Sequence, residues 1–276
     1  MNRLIDNRTN PTFVLCIGMK RSGSTLQYNL SKLLLENQFK TKNFGYIDGK
    51  DLSKKLSNED MLKANFLEYI ILKCHNPPWK VGSQFLENHK ILYIYRDLRA
   101  VYFSRKVREN CSLDEFILEM KKSLDLYSYY EKDRRVFVQK YEDVYLNNKD
   151  ALLDISKYLQ VKVNDNLITK ILKLVSIESS KNNHSFLKKI IIFFYRFLVN
   201  IVPKKFIIFF KKIPFVPKMI SIFRKFITPN SDREMYADHV SKFKGNPATW
   251  KDKLSTDEIS RIEIEFNGWL KEHGYL

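Results

Sequence analysis

Between residues 13 and 35 the chain reads FVLCIGMKRSGSTLQYNLSKLLL, and no other stretch limits its possible folds so much. Residues 13–17 are a short apolar run rich in branched side chains, the pattern of a buried strand. Residues 18–25, GMKRSGST, pack two glycines, two cations and three hydroxyls into one turn. Leu26, Leu30, Leu33 and Leu34 then recur at helical spacing. A strand, a glycine turn and a helix in this order aim backbone N–H groups and a helix N-terminus at one point, where a phosphate can be held.

The turn comes close to the triphosphate-binding pattern G-x-x-x-x-G-K-[ST]. Gly18 and Gly23 have its spacing, and Thr25 occupies the position of the metal-binding hydroxyl. Ser24 stands where that pattern needs its lysine, so a kinase or ATPase would lack its contact to the β- and γ-phosphates. The cations sit inside the turn instead, at Lys20 and Arg21. Such a loop suits a monophosphate or a phosphosulfate and requires no metal.

The 276 residues suffice for one α/β domain with a full core, and 44% hydrophobic against 29% charged residues is a globular balance. Cys16, Cys74 and Cys111 show no metal-site or disulfide spacing. The first twelve residues are polar and carry no signal-peptide core, so a cytoplasmic location is expected. The net charge of +17 is unevenly spread: residues 181–230 hold eleven of the 48 Lys+Arg and none of the 31 Asp+Glu.

Along the chain, residues 41–60 are polar and turn-rich, and residues 61–66 suggest the end of a short helix. Residues 67–74, LEYIILKC, read as a strand stopped by Pro77 and Pro78. Lys73 and His75 then lie at its C-terminal end and point to the same side. That end of an open α/β sheet is where ligands bind. Residues 91–95, ILYIY, form another buried strand, running into Arg96-Asp97-Leu98-Arg99 and a helical pattern through Ser104 and Arg108. Arg96 and Ser104 could reach one phosphate beside the sheet. Further helices are expected over 113–130, 148–159 and 164–176, with a strand at 135–140 ending in Tyr141-Glu142-Asp143. Ser255 and Glu258 form a capping signature that opens a last helix running to about residue 273. Strands alternating with helices imply a mostly parallel sheet with helices on its faces.

With these pieces in order, the chain resembles the sulfotransferases that use 3′-phosphoadenosine 5′-phosphosulfate (PAPS). Their first signature, P-[KR]-S-G-[ST]-T after a strand, is similar to Lys20-Arg21-Ser22-Gly23-Ser24-Thr25, with Lys20 in place of proline. The resemblance implies that this loop wraps the 5′-phosphosulfate. Their second, R-[DN]-P-[RK]-x-x-x-x-S, is similar to the run from Arg96 to Ser104, with Leu98 in place of proline, and implies the 3′-phosphate site. Lys73-Cys74-His75-Asn76-Pro77 resembles K-T-H-L-P, whose histidine is the general base. Tyr141-Glu142-Asp143 resembles Y-E-D, whose tyrosine lies by the adenine. Lys244-Gly245 with Trp250-Lys251 resembles the R-K-G…W-K segment, whose basic pair holds the 3′-phosphate; Phe243 stands at its arginine.

The resemblance implies a P-loop-type α/β fold, PAPS as donor and no metal. Arg21 and Lys73 would balance charge on the leaving phosphate, and His75 would take the acceptor's proton. The acceptor is left open among a sugar, a lipid headgroup and a small alcohol. The resemblance runs to the C-terminus except over 181–230, read as a helical insert in a single domain of residues 1–276. Within it, residues 186–227 interleave large apolar residues with Lys/Arg clusters and with Pro203, Pro214 and Pro217. The longest apolar stretch is too short to cross a bilayer, which needs about 20 residues. Two expectations fit: an amphipathic segment at an anionic membrane surface, or a lid over the acceptor. Nucleic acid is not expected, since no base-reading motif is present. A small-molecule kinase and a non-catalytic membrane-binding protein are the competing functions.

Overall fold

The computed structural model describes residues 11–48, 51, 67–75, 89–176 and 245–276. The chain divides into two compact units, Met1–Lys173 with Ser241–Leu276, and Leu174–Val240. The expected helix at 61–66, the insert at 181–230 and Lys244 lie outside the described residues.

The first unit is built on five parallel strands in the order β2-β3-β1-β4-β5. These are β1 (Thr12–Gly18), β2 (Thr41–Tyr46), β3 (Tyr69–Lys73), β4 (His89–Tyr95) and β5 (Val136–Lys140). The apolar runs of β1, β3 and β4 are continuous, not alternating, because helices cover both faces of a parallel sheet. Val14, Cys16, Ile17, Ile70, Ile71, Leu92 and Ile94 are all fully buried. Parallel pairing sends every strand's C-terminus to one end. Cys16 faces Lys73 across β1 and β3, Gly18 faces Ile94 across β1 and β4, and Tyr95 faces Lys140 across β4 and β5.

β2 was not expected: its residues, TKNFGY, alternate weakly and contain a glycine. It is an edge strand whose register with β3 shifts between Asn43 and Tyr46. Gly45 takes φ 65 there, and its N–H donates to Asn43 Oδ1 at 2.7 Å, a local turn that only a short polar side chain supports.

The helices are α1 (Ser24–Glu36), α2 (Leu98–Glu109), α3 (Leu113–Glu131), α4 (Tyr141–Leu146), α5 (Asn148–Leu159) and α6 (Asp165–Val175). After a 3₁₀ turn at Thr249–Asp252 come α7 (Thr256–Glu265) and α8 (Asn267–Glu272). The capping box expected at Ser255 is present, with Ser255 and Glu258 bonded reciprocally. The single C-terminal helix expected from the sequence is two, broken at Phe266. Phe266 leaves helical geometry (φ −120, ψ 24) and is itself buried. Trp250, Leu254, Ile262, Phe266 and Leu270 join Leu98, Val101, Phe116 and Tyr127 in one apolar core. The last 30 or so residues thus close the sheet's α2–α3 face.

Candidate active site

Five chain segments meet at the C-terminal edge of the sheet: the loop after β1, the end of β3, the start of α2, the start of α4 and the backbone at Gly245. The loop must leave β1 tightly. A Cβ on Gly18 would stand 2.6 Å from the Ile94 carbonyl oxygen, so the first glycine is required by the neighbouring strand. Ser22 donates both its N–H (3.1 Å) and its hydroxyl (2.7 Å) to Met19 O, which locks the turn. Arg21 takes φ 70 and Gly23 φ 90, so the loop passes twice through left-handed geometry. Gly23 is the N-cap of α1 and offers no side-chain cap, and the first turn of α1 contains no acid. The helix start, with buried Ser24 beside it, is a positive end free to meet an anion.

Tyr141 joins this loop to the rest. Its ring lies against Gly23, where any Cβ would overlap it. Arg96 stacks on the same ring, its guanidinium carbon 4.3 Å from the centroid. Tyr141 Oη donates to Gly245 O at 2.8 Å, and Arg96 Nη2 reaches the same oxygen at 3.4 Å. Arg96 is 8% exposed, and its buried Nε has no hydrogen-bond partner among the described residues. A buried, unsatisfied guanidinium N–H is costly, and an anion is the natural partner.

Arg21 Nε donates to Ser104 Oγ at 3.1 Å, linking the two expected phosphate-binding segments directly. Burial lowers the Arg21 pKa, and the nearby guanidinium groups of Arg108 and Arg96 lower it further, against Glu109. Lys20 turns aside to pair with Glu109 of α2 at 2.8 Å. Lys73 is buried and donates to Thr25 Oγ1 at 2.6 Å. Burial lowers its pKa to about 8, with Arg21 adding to the effect and Cys16 opposing it. His75 Nδ1 lies 3.3 Å from Gly18 O. Burial, and then Lys73, lower its pKa to about 4, so it is neutral at pH 7. A neutral ring that donates Nδ1–H to Gly18 O keeps the lone pair of Nε2 for another proton.

Lys20, Arg21, Ser22, Gly23, Ser24, Thr25, Lys73, His75, Arg96, Ser104, Tyr141 and Gly245 all fall in this region. Two features escaped the sequence. Tyr46, at the end of the unforeseen β2, sets its ring 5.6 Å from that of His75. Arg99, the second arginine of the Arg-Asp-Leu-Arg run, serves the scaffold. It pairs with Asp97 at 2.9 Å and with Glu263, stacks on Trp250 at 4.2 Å, and donates to Tyr275 O at 2.9 Å. Asp97 also caps α2, accepting from Arg99 N–H. Glu142 accepts from Asp97 N–H at 3.2 Å and from Tyr275 Oη at 2.7 Å, tying α4 to the same network. Among the described residues no group of His, Cys, Asp or Glu could hold a metal ion, and no helix is long and apolar enough to cross a membrane.

Residues 11–196 match the family described as the sulfotransferase domain. Comparison with curated protein sequences found no match. Among solved structures the chain is similar to a mouse sulfotransferase complexed with PAP, at 14% identity and TM-score 0.52, over 96% of this chain and 86% of that one. It is also similar to a retinol dehydratase in complex with androsterone and the inactive cofactor PAP. That match has 17% identity and TM-score 0.56, over 95% of this chain and 81% of that one. At such identities the structural likeness is one of fold.

Proposed function

The chain belongs to the sulfotransferase family, and we propose that it moves a sulfuryl group from PAPS to a hydroxyl or amine of a carbohydrate, lipid or small-molecule acceptor, with His75 as general base. The observation that supports this most is Arg96, a buried arginine whose Nε lacks a partner, one bond network away from the β1 loop. A nucleotide with phosphate at both the 5′ and 3′ positions would use both halves of the site at once. ATP would leave Arg96 and Ser104 idle, and Ser24 gives it no lysine.

PAPS supplies a sulfuryl group already bonded to a good phosphate leaving group. Transfer of this kind needs in-line positioning and charge stabilisation more than covalent help. The start of α1 and the amides of the loop hold the 5′-phosphate. Arg96 and Ser104 would hold the 3′-phosphate, with Gly245 at its flank. Tyr141 braces the loop and the adenosine side of the site. Arg21 and Lys73 would balance the charge that grows on the bridging oxygen as its bond to sulfur breaks. His75 Nε2 removes the acceptor proton as the new oxygen–sulfur or nitrogen–sulfur bond forms.

Residues 186–227 fit a cytoplasmic enzyme that works at an anionic membrane surface, through cations interleaved with apolar bulk. Flotation of the full chain and of a 186–227 deletion with anionic vesicles tests this, and no binding by the wild type removes it. The donor is tested by calorimetry with adenosine 3′,5′-bisphosphate, ATP and AMP, with and without Mg²⁺. Tight, metal-independent binding of the bisphosphate, lost in Arg96→Ala, is the expected result. A preference for ATP with Mg²⁺ overturns the assignment and points to phosphoryl transfer.

A further inference from the structure

Two side chains of α2 touch the phosphate loop, and a third stands between them. Ser104 Oγ accepts from Arg21 Nε at 3.1 Å, and Glu109 pairs with Lys20 at 2.8 Å. An α-helix turns by about 100° per residue. With Ser104 as the origin, Arg108 lies about 40° round the helix and Glu109 about 140° round. Arg108 therefore rises from the arc of α2 that faces the loop, one turn beyond Ser104. It is exposed, and among the described residues no ion pair joins it to a carboxylate. The neighbouring Glu109 is occupied by Lys20 and Arg105.

A cation in the last turn of a helix complements the helix dipole, and that alone would explain an arginine near Glu109. It does not explain why this one is set against another guanidinium. Arg108 is, after burial, the strongest influence lowering the Arg21 pKa, ahead of Arg96. The guanidinium groups of Arg108 and Arg96 both act against that of Arg21, which is a cost to the free protein. A multiply charged anion among them turns the repulsion into attraction.

Resting on the donor reading above, we propose that Arg108 is a further donor-binding residue. With Arg96 and Ser104 it closes around the 3′-phosphate and sets the preference for 3′-phosphorylated adenosine nucleotides. Its exposed position suits a group that folds over the phosphate once the nucleotide is seated.

The test is calorimetry on the full chain with two probes, adenosine 3′,5′-bisphosphate and AMP. Arg108→Ala is expected to weaken the bisphosphate about tenfold, the loss of one charge-assisted contact, and to leave AMP within about twofold. Arg108→Lys should recover part of the loss. Arg134→Ala, which removes an exposed charge elsewhere, should change neither probe by more than about twofold. The proposal is overturned if Arg108→Ala binds the bisphosphate like the wild type. It is equally overturned if both probes weaken together, because Arg108 would then act through the shape of the loop. A wild type that does not distinguish the two probes defeats the donor reading itself, a result separate from an unchanged Arg108→Ala.

Discussion

Replacing Gly23 by alanine should damage the site twice, and the structure says by how much. The residue sits at φ 90, where a side chain costs about 1–3 kcal/mol of backbone strain. Its new Cβ would lie closer than 3.0 Å to Cδ2 and Cε2 of Tyr141 and 3.2 Å from Cγ. Carbon atoms pack at about 3.5–4.0 Å, so the ring must retreat. The ring is not free to do so, because Arg96 stacks on it and Gly245 O accepts from its hydroxyl at 2.8 Å. Giving up the stacking costs about 0.5–2 kcal/mol and the hydrogen bond about 1 kcal/mol.

A combined penalty of about 2.5–6 kcal/mol follows, divided between stability and binding. If the loop keeps its shape, the strain lowers thermal stability; if it relaxes, the phosphate cradle opens. A loss of 3 kcal/mol taken wholly in binding would weaken adenosine 3′,5′-bisphosphate by more than about 100-fold. The assay is a double-mutant cycle of Gly23→Ala and Tyr141→Ala, read by calorimetry and thermal melting together. With the ring gone, only backbone strain remains, so the double variant should be better than additivity by about 1.5–3 kcal/mol. Additive losses would refute the reasoning, since Tyr141 would then not be what Gly23 makes room for.

His75→Ala should lower turnover roughly 10²–10⁴-fold and leave bisphosphate binding nearly unchanged; survival of turnover would move the base elsewhere. With the His75 pKa at about 4 and that of Lys73 at about 8, kcat/KM should form a plateau between those values. It should fall below the plateau as His75 gains a proton and above it as Lys73 loses one. An acid limb near pH 6.5 would mean that His75 is not desolvated in the free enzyme. Arg99→Met leaves the Asp97 carboxylate buried without its partner and frees Trp250 and Glu263. Urea unfolding should show a loss of about 3 kcal/mol, and a loss under about 1 kcal/mol would show that the C-terminal segment docks without it.

The strand, turn and helix at 13–35 were legible because each depends on neighbours in sequence: apolar runs, glycine spacing and leucine periodicity. The ends of β3, β4 and β5 were legible for the same reason, and parallel pairing then carried Lys73, Arg96 and Tyr141 to one edge. β2 was not, since an edge strand takes its order from β3 and not from its own composition.

What each side chain does at that edge is a matter of partners far along the chain. Arg21 finds Ser104 across 83 residues and Arg96 finds Gly245 across 149, and no local pattern encodes either meeting. Arg99 is a strut, because Asp97, Glu263 and the Trp250 ring claim its donors and its face. The sequence by itself determined which chemistry the chain can hold, through the residue types at its glycine turn and strand ends. Only the tertiary structure decided which cations are left for a ligand. That outcome depends on which carboxylates and carbonyls fold within reach, and long-range packing alone sets it.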